Sequence, residues 1–135
     1  MLPPPLIPGI EGLGTRPYWS VMIPTYNPRA EYLEETLLSV LKQDPGPDQM
    51  QIEVIDDCSM DNTASEVTRR IGARRVTFHA ERQNLGLANA WNQCIERARG
   101  HWVHILHQDD IVLLGPRNAG RNRLGTNALI RVFIT

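Results

Sequence analysis

The chain is 135 residues long with a formal net charge of -1, enough for one domain with a modest core. The near-neutral balance excludes a basic footprint for nucleic acid and a polybasic membrane signal. It hides an asymmetry: from Gly115 to Thr135 there are four arginines and no acid, so the remainder is acidic, which suits a protein that recruits divalent cations.

Residues 1–17, rich in Pro and Gly, read as an irregular arm without the basic leader of a signal peptide. The apolar run Tyr18–Ile23 predicts a buried strand stopped by Pro24. A helix is expected from Ala30 to Gln43, with Leu33, Thr36, Leu37, Val40 and Leu41 on its apolar face, ended by Asp44-Pro45-Gly46-Pro47. Gln51–Ile55 is a second strand, running into Asp56 and Asp57. Thr63 and Glu66 have capping-box spacing, which predicts a second helix over Thr63–Ile71 closed by Gly72. Arg75–Ala80 is a third strand. A third helix over Leu85–Arg99 carries the stripe Leu87, Ala90, Trp91, Cys94, Ile95 and Ala98, closed by Gly100. His101–Leu106 is a fourth strand, emptying into His107-Gln108-Asp109-Asp110. Short apolar strands alternating with amphipathic helices predict an α/β, Rossmann-like fold, a mainly parallel sheet with flanking helices. No run approaches membrane-spanning length. Cys58 and Cys94 form no metal-ligand pair, so two reduced thiols in a cytoplasmic protein are expected.

In such a sheet, ligands bind beyond the carboxyl ends of the strands. Three strand ends carry polar clusters: Pro24-Thr25-Tyr26-Asn27, Asp56-Asp57-Cys58-Ser59, and His107-Gln108-Asp109-Asp110. Adjacent carboxylates repel unless something neutralises them, and a divalent cation shared with a ligand's phosphates is the economical answer. No Gly-rich dinucleotide fingerprint follows the first strand and no P-loop is present, so metal ligation is the expected device for holding phosphate.

The segments VMIPTYNP, VIDDCSMDNT and RQNLGLANAWNQCIERARGHWVHILHQDD, in that order, resemble the successive signatures of family 2 glycosyltransferases of the GT-A fold. The resemblance runs from Val21 to Leu114. It implies a glycosyltransferase-like domain over 18–114, followed by an atypical basic tail over 115–135. It implies binding of a nucleotide-diphospho-sugar donor and, in a full-length parent, inverting transfer of the sugar to an acceptor hydroxyl. Pro24, Thr25, Tyr26 and Asn27 would line the base and ribose. Asp57 would accept a hydrogen bond from the base, uracil in a uridine diphosphate sugar. Asn84 and Gly86 would shape the loop over the donor. Asp109, with Asp110 and His107 beside it, would hold Mn or Mg against the diphosphate.

Two positions depart from the family pattern. Cys58 stands where the family has Gly, and His107 stands where the D-x-D motif has its first acid, a replacement that an imidazole can serve as a ligand. The blander readings are that Thr25 and Asn27 cap the following helix, that Asp56 anchors a turn, that Asp61 and Asn62 start a helix, and that His79, His101 and His104 are structural or exposed. Trp91 reads as core. A receiver-like phosphorylation domain is a distant alternative, disfavoured because the sole lysine, Lys42, falls on the first helix.

After Asp110 the sequence holds no Asp, Glu or His, so no general base is identified in this chain. The tail departs from the family pattern, and a truncated or frame-shifted gene product is the expectation; the alternative is a divergent short protein whose tail has a role of its own. The alternative function is a non-catalytic nucleotide-binding remnant, with a partner or second copy packing on an exposed sheet edge.

Overall fold

The strands at Trp19–Thr25 (β1), Met50–Asp56 (β2), Thr77–Ala80 (β3) and Trp102–Ile105 (β4) are mutually parallel, and Ile130–Phe133 (β5) adds antiparallel beside β4. The order across the sheet is β3-β2-β1-β4-β5. The structure is a computed structural model and describes residues 16–108 and 130–133. The helices are α1 (Ala30–Leu41), α2 (Thr63–Val67), which widens into a π-helical turn over Thr68–Gly72, and α3 (Leu87–Arg97).

β1 and β2 are interior strands of the sheet and are buried on both faces along almost their whole length. On one face Val21, Ile23, Ile52 and Val54 pack with Leu33, Leu37 and Val40 of α1 and with Ala64 and Val67 of α2. On the other face Met22, Ile55, Val103 and Ile105 pack with Cys94 and Ala98. Each fully buried Leu, Ile, Met or Val contributes about 1.5–3 kcal/mol by leaving water.

β1 does not stop before Pro24 but runs through it to Thr25. Its ladder with β4 ends at the pair Met22 and Ile105, so Pro24, lacking an N–H, faces only β2. The extension sets Thr25 directly opposite Asp56 in the β1–β2 register.

The remaining departures are local. Asn62, not Thr63, is the cap residue of α2; Thr63 is already helical, and its N–H donates to the Asp61 carboxylate at 2.9 Å. That bond holds the Asp61 carboxyl below its ordinary value. On α3, Ala90 and Cys94 are buried, but Leu87 and Ile95 are exposed. Leu87 lies on the first turn, beyond the sheet's rim, and Ile95 lies at the margin of the stripe. Gly100 does not cap α3, whose C-cap is Ala98; it lets the chain cross against β1, where a Cβ would stand 2.6 Å from the Trp19 carbonyl carbon. The apolar end of the basic tail supplies β5, which strand alternation with helices does not predict.

At the amino-terminal end of the sheet lies a buried polar network. Gln51 Oε1 accepts from Ser20 Oγ at 2.6 Å and from Arg99 N at 2.8 Å, while Gln51 Nε2 donates to Glu53 Oε2 and to the Arg97 carbonyl, both at 3.0 Å. Glu53 is also ion-paired with Arg97.

Candidate functional site

At the carboxyl end of the sheet, β1, β2 and β4 finish around one cavity of about 440 Å³. Pro24, Thr25 and Tyr26 border it from β1, Asp57 from β2, and His107 and Gln108 from β4. Asn84, Gly86, Leu87 and Ala90 close the remaining side from α3 and the loop before it.

The two adjacent carboxylates do different work. Asp56 Oδ1 accepts from Thr25 Oγ1 at 2.8 Å and from Ser59 Oγ at 2.5 Å, and Oδ2 accepts from Ser59 N at 2.8 Å. It anchors the turn after β2. Asp57 reaches the other way: Oδ1 accepts from Leu85 N at 2.9 Å and Oδ2 from Gly86 N at 3.0 Å. Five donors thus serve the pair, so hydrogen bonds stabilise both carboxylates at this strand end.

The turn is built from left-handed residues. Asn27 has φ 46° and Cys58 has φ 60°. Cys58 therefore keeps the conformation that Gly takes most readily, at a cost in strain. Gly86, with φ 92°, opens α3 and needs the freedom of glycine. Neither Thr25 nor Asn27 caps α1, whose N-cap is Arg29 without a side-chain bond. Asn27 donates its N–H to Ser59 Oγ and accepts from Met60 N, both at 2.8 Å, which ties the β1 and β2 ends together beside the cavity rather than in its lining.

Gln108 was not singled out by the motif, yet it joins three elements. Its side-chain oxygen accepts from Tyr26 N at 2.8 Å, and its carbonyl accepts from Thr36 Oγ1 at 3.0 Å. A polar Thr within the apolar face of α1 is the sequence signal that marks this contact. Leu87 is likewise a cavity residue that periodicity assigned to the core. His107 packs its ring on Trp91, centroids 5.8 Å apart at 43°. Trp91 is half-buried against the core, with no hydrogen-bond partner for Nε1 among the described residues. Asp109 and Asp110 lie outside the described residues, and among those described no three His, Cys, Asp or Glu side chains stand close enough to hold a metal ion. His79, with a 3.3 Å contact to Glu81, His101 and His104 belong to no such group. No described helix is long and apolar enough to cross a membrane.

The sequence pattern of glycosyl transferase family 2 matches residues 20–115. The putative teichuronic acid biosynthesis glycosyltransferase TuaG of Bacillus subtilis is 37% identical over 97 residues, which is 70% of this chain and 37% of that protein. The chain thus spans little more than a third of that relative's length. Among solved structures, Staphylococcus aureus TarS 1-349 in complex with UDP-GlcNAc superposes with TM-score 0.60 at 30% identity, over 70% of this chain and 27% of that one. The mannosyltransferase PcManGT of Pyrobaculum calidifontis, in complex with GDP-Man and Mn2+, superposes with TM-score 0.64 at 30% identity, over 84% of this chain and 32% of that one. The order of strands, the convergence of their ends on one cavity and these matches together place the chain in glycosyl transferase family 2, with the GT-A fold.

Proposed function

We propose that the rim cavity binds a nucleotide-diphospho-sugar donor. The observation that carries this is the convergence of three strand ends on one cavity whose far wall, the Leu85–Gly86 loop, is fastened by Asp57. Pro24, Thr25 and Tyr26 lie where a base and ribose would rest. Asp57 retains lone pairs beyond those used by the two amides, and so can also accept from an imino N–H of uracil. Asn84 and Gly86 would border the sugar diphosphate.

A divalent ion, Mn or Mg, would be held by His107, Asp109 and Asp110, and when bound would offset the charge of the diphosphate. The chemistry of that donor set, one imidazole with carboxylates, suits Mn. His107 borders the cavity, which supports its part in the set.

In a longer parent, the reading is inverting transfer of the sugar to an acceptor hydroxyl. For these 135 residues taken alone, a second reading, nucleotide binding without transfer, is favoured by the lack of Asp, Glu and His over Ile111–Thr135.

Calorimetric titration of uridine, guanosine and adenosine diphosphates, with and without Mn, tests the proposal. Binding that needs Mn, prefers uridine, and loses the preference in Asp57→Ala is the expected result. Equal binding of all three nucleotides overturns the base-reading role of Asp57, and no binding of any overturns the donor site.

A further inference from the structure

A second recess, of about 410 Å³, opens at the opposite end of the sheet, where β2 and β3 begin. Arg74, Arg75 and Arg99 border it together with Gln51 and Thr77, and no described carboxylate lines it. Arg75 is committed elsewhere: Nε and Nη2 donate to the Asp44 carboxylate at 2.5 and 2.6 Å, and Nη2 also donates to the Met50 carbonyl. Arg74 and Arg99 are exposed, and neither side chain has an acidic partner among the described residues.

These two guanidinium groups, without an acidic partner among the described residues, rise from fixed backbone. Arg99 N donates to the buried Gln51 at 2.8 Å, and the Arg99 carbonyl accepts from Arg16 Nε at 2.6 Å. Arg74 is followed by the doubly anchored Arg75, whose N–H donates to the Gly72 carbonyl at 2.9 Å. Like charges on a fixed frame around an open recess are unfavourable alone and favourable with an anion between them. Arginine presents a planar fork that matches phosphate oxygens, and Thr77 adds an exposed hydroxyl donor.

We propose that this recess binds a phosphate group between Arg74 and Arg99, independently of the nucleotide cavity. The group could belong to a soluble phosphate ester or to an anionic phospholipid headgroup; the recognition chemistry is the same.

The test is a two-dimensional NMR titration of the 135-residue chain with millimolar inorganic phosphate, against chloride at equal ionic strength. Saturable shifts at the amides of Arg74, Thr77 and Arg99 are expected, with affinity at least about tenfold weaker in the Arg74→Gln, Arg99→Gln double variant. Both positions are exposed, so the variant should fold, which circular dichroism checks. Shifts no larger than those with chloride, shifts that persist in the double variant, or shifts confined to Asp57, Leu85 and Gly86 would each overturn the proposal. Co-sedimentation with phosphatidylglycerol but not phosphatidylcholine vesicles, lost in the double variant, would identify the source as a lipid headgroup. Phosphate-dependent shifts without co-sedimentation would identify it as a soluble ester.

Discussion

Asp57 holds two consecutive amides of one loop, with Oδ1 2.9 Å from Leu85 N and Oδ2 3.0 Å from Gly86 N. The strand end of β2 is thereby fastened to the start of α3 across the cavity. Replacing Asp57 by Asn puts an NH2 group against one of these N–H donors and leaves it unmatched. We expect Asp57→Asn to weaken donor binding about tenfold or more and to speed hydrogen exchange at Leu85 and Gly86. Unchanged exchange at both amides would show that the loop is held by something else.

Burial pushes the Cys94 thiol up to about 12, with the charge of Glu53 adding to the effect. Its ordinary value is 9.0, so the folded value is the higher one. The contribution to stability is then complete below pH 9.0 and declines as pH rises toward the folded value. Denaturant melts over this alkaline range should fall by up to about 1.4 kcal/mol per pH unit more in the wild type than in Cys94→Ala. Parallel pH profiles for the two proteins would refute the assignment. Thiol reagents at neutral pH should label the half-exposed Cys58 and spare Cys94.

Gly100 lies against β1 so closely that an added Cβ would sit 2.6 Å from the Trp19 carbonyl carbon and 2.7 Å from Ser20 N. Backbone cannot yield as a side chain can. Gly100→Ala should cost about 1–3 kcal/mol, visible as a lowered thermal midpoint. An unshifted midpoint would contradict the close crossing.

Sugar transfer by the isolated 135-residue chain should be at trace level. General-base catalysis alone typically contributes about 100- to 10,000-fold, and no Asp, Glu or His follows Asp110. Slow hydrolysis of the donor, which needs no bound acceptor, is the activity expected to remain. Assaying the purified chain with labelled nucleotide sugars checks this. Robust, acceptor-dependent transfer would mean that a partner chain or second copy supplies the base.

Much of the fold was legible because four apolar strands alternate with three helical stripes, and that pattern admits few arrangements. Asp57 and the strand ends at Thr25 and His107 were legible for the same reason: a parallel sheet brings its carboxyl ends to one rim. What escaped depends on long-range geometry. Gln108 acts through a backbone amide and a Thr hydroxyl far off in sequence. Leu87 keeps the helical period but projects past the sheet, and period alone does not say where the sheet ends. Gly100 looks like a helix stop in sequence, whereas its neighbour in space is β1. Gln51 and Glu53 sat within an apolar run and gave no sign of their shared network with Ser20 and Arg97. The pairing of β5 with β4 joins segments too distant for any local pattern to show.

Gln108 engages Tyr26 through its side chain and Thr36 through its carbonyl. Mechanically, this pins the chain, just after β4 ends, to the opposite wall of the cavity and to α1. A pull on the chain beyond Gln108 is therefore transmitted to Tyr26 as well as to β4. The Tyr26 and His107 walls of the cavity are thereby coupled to each other, just as Asp57 couples the Leu85–Gly86 loop to the end of β2.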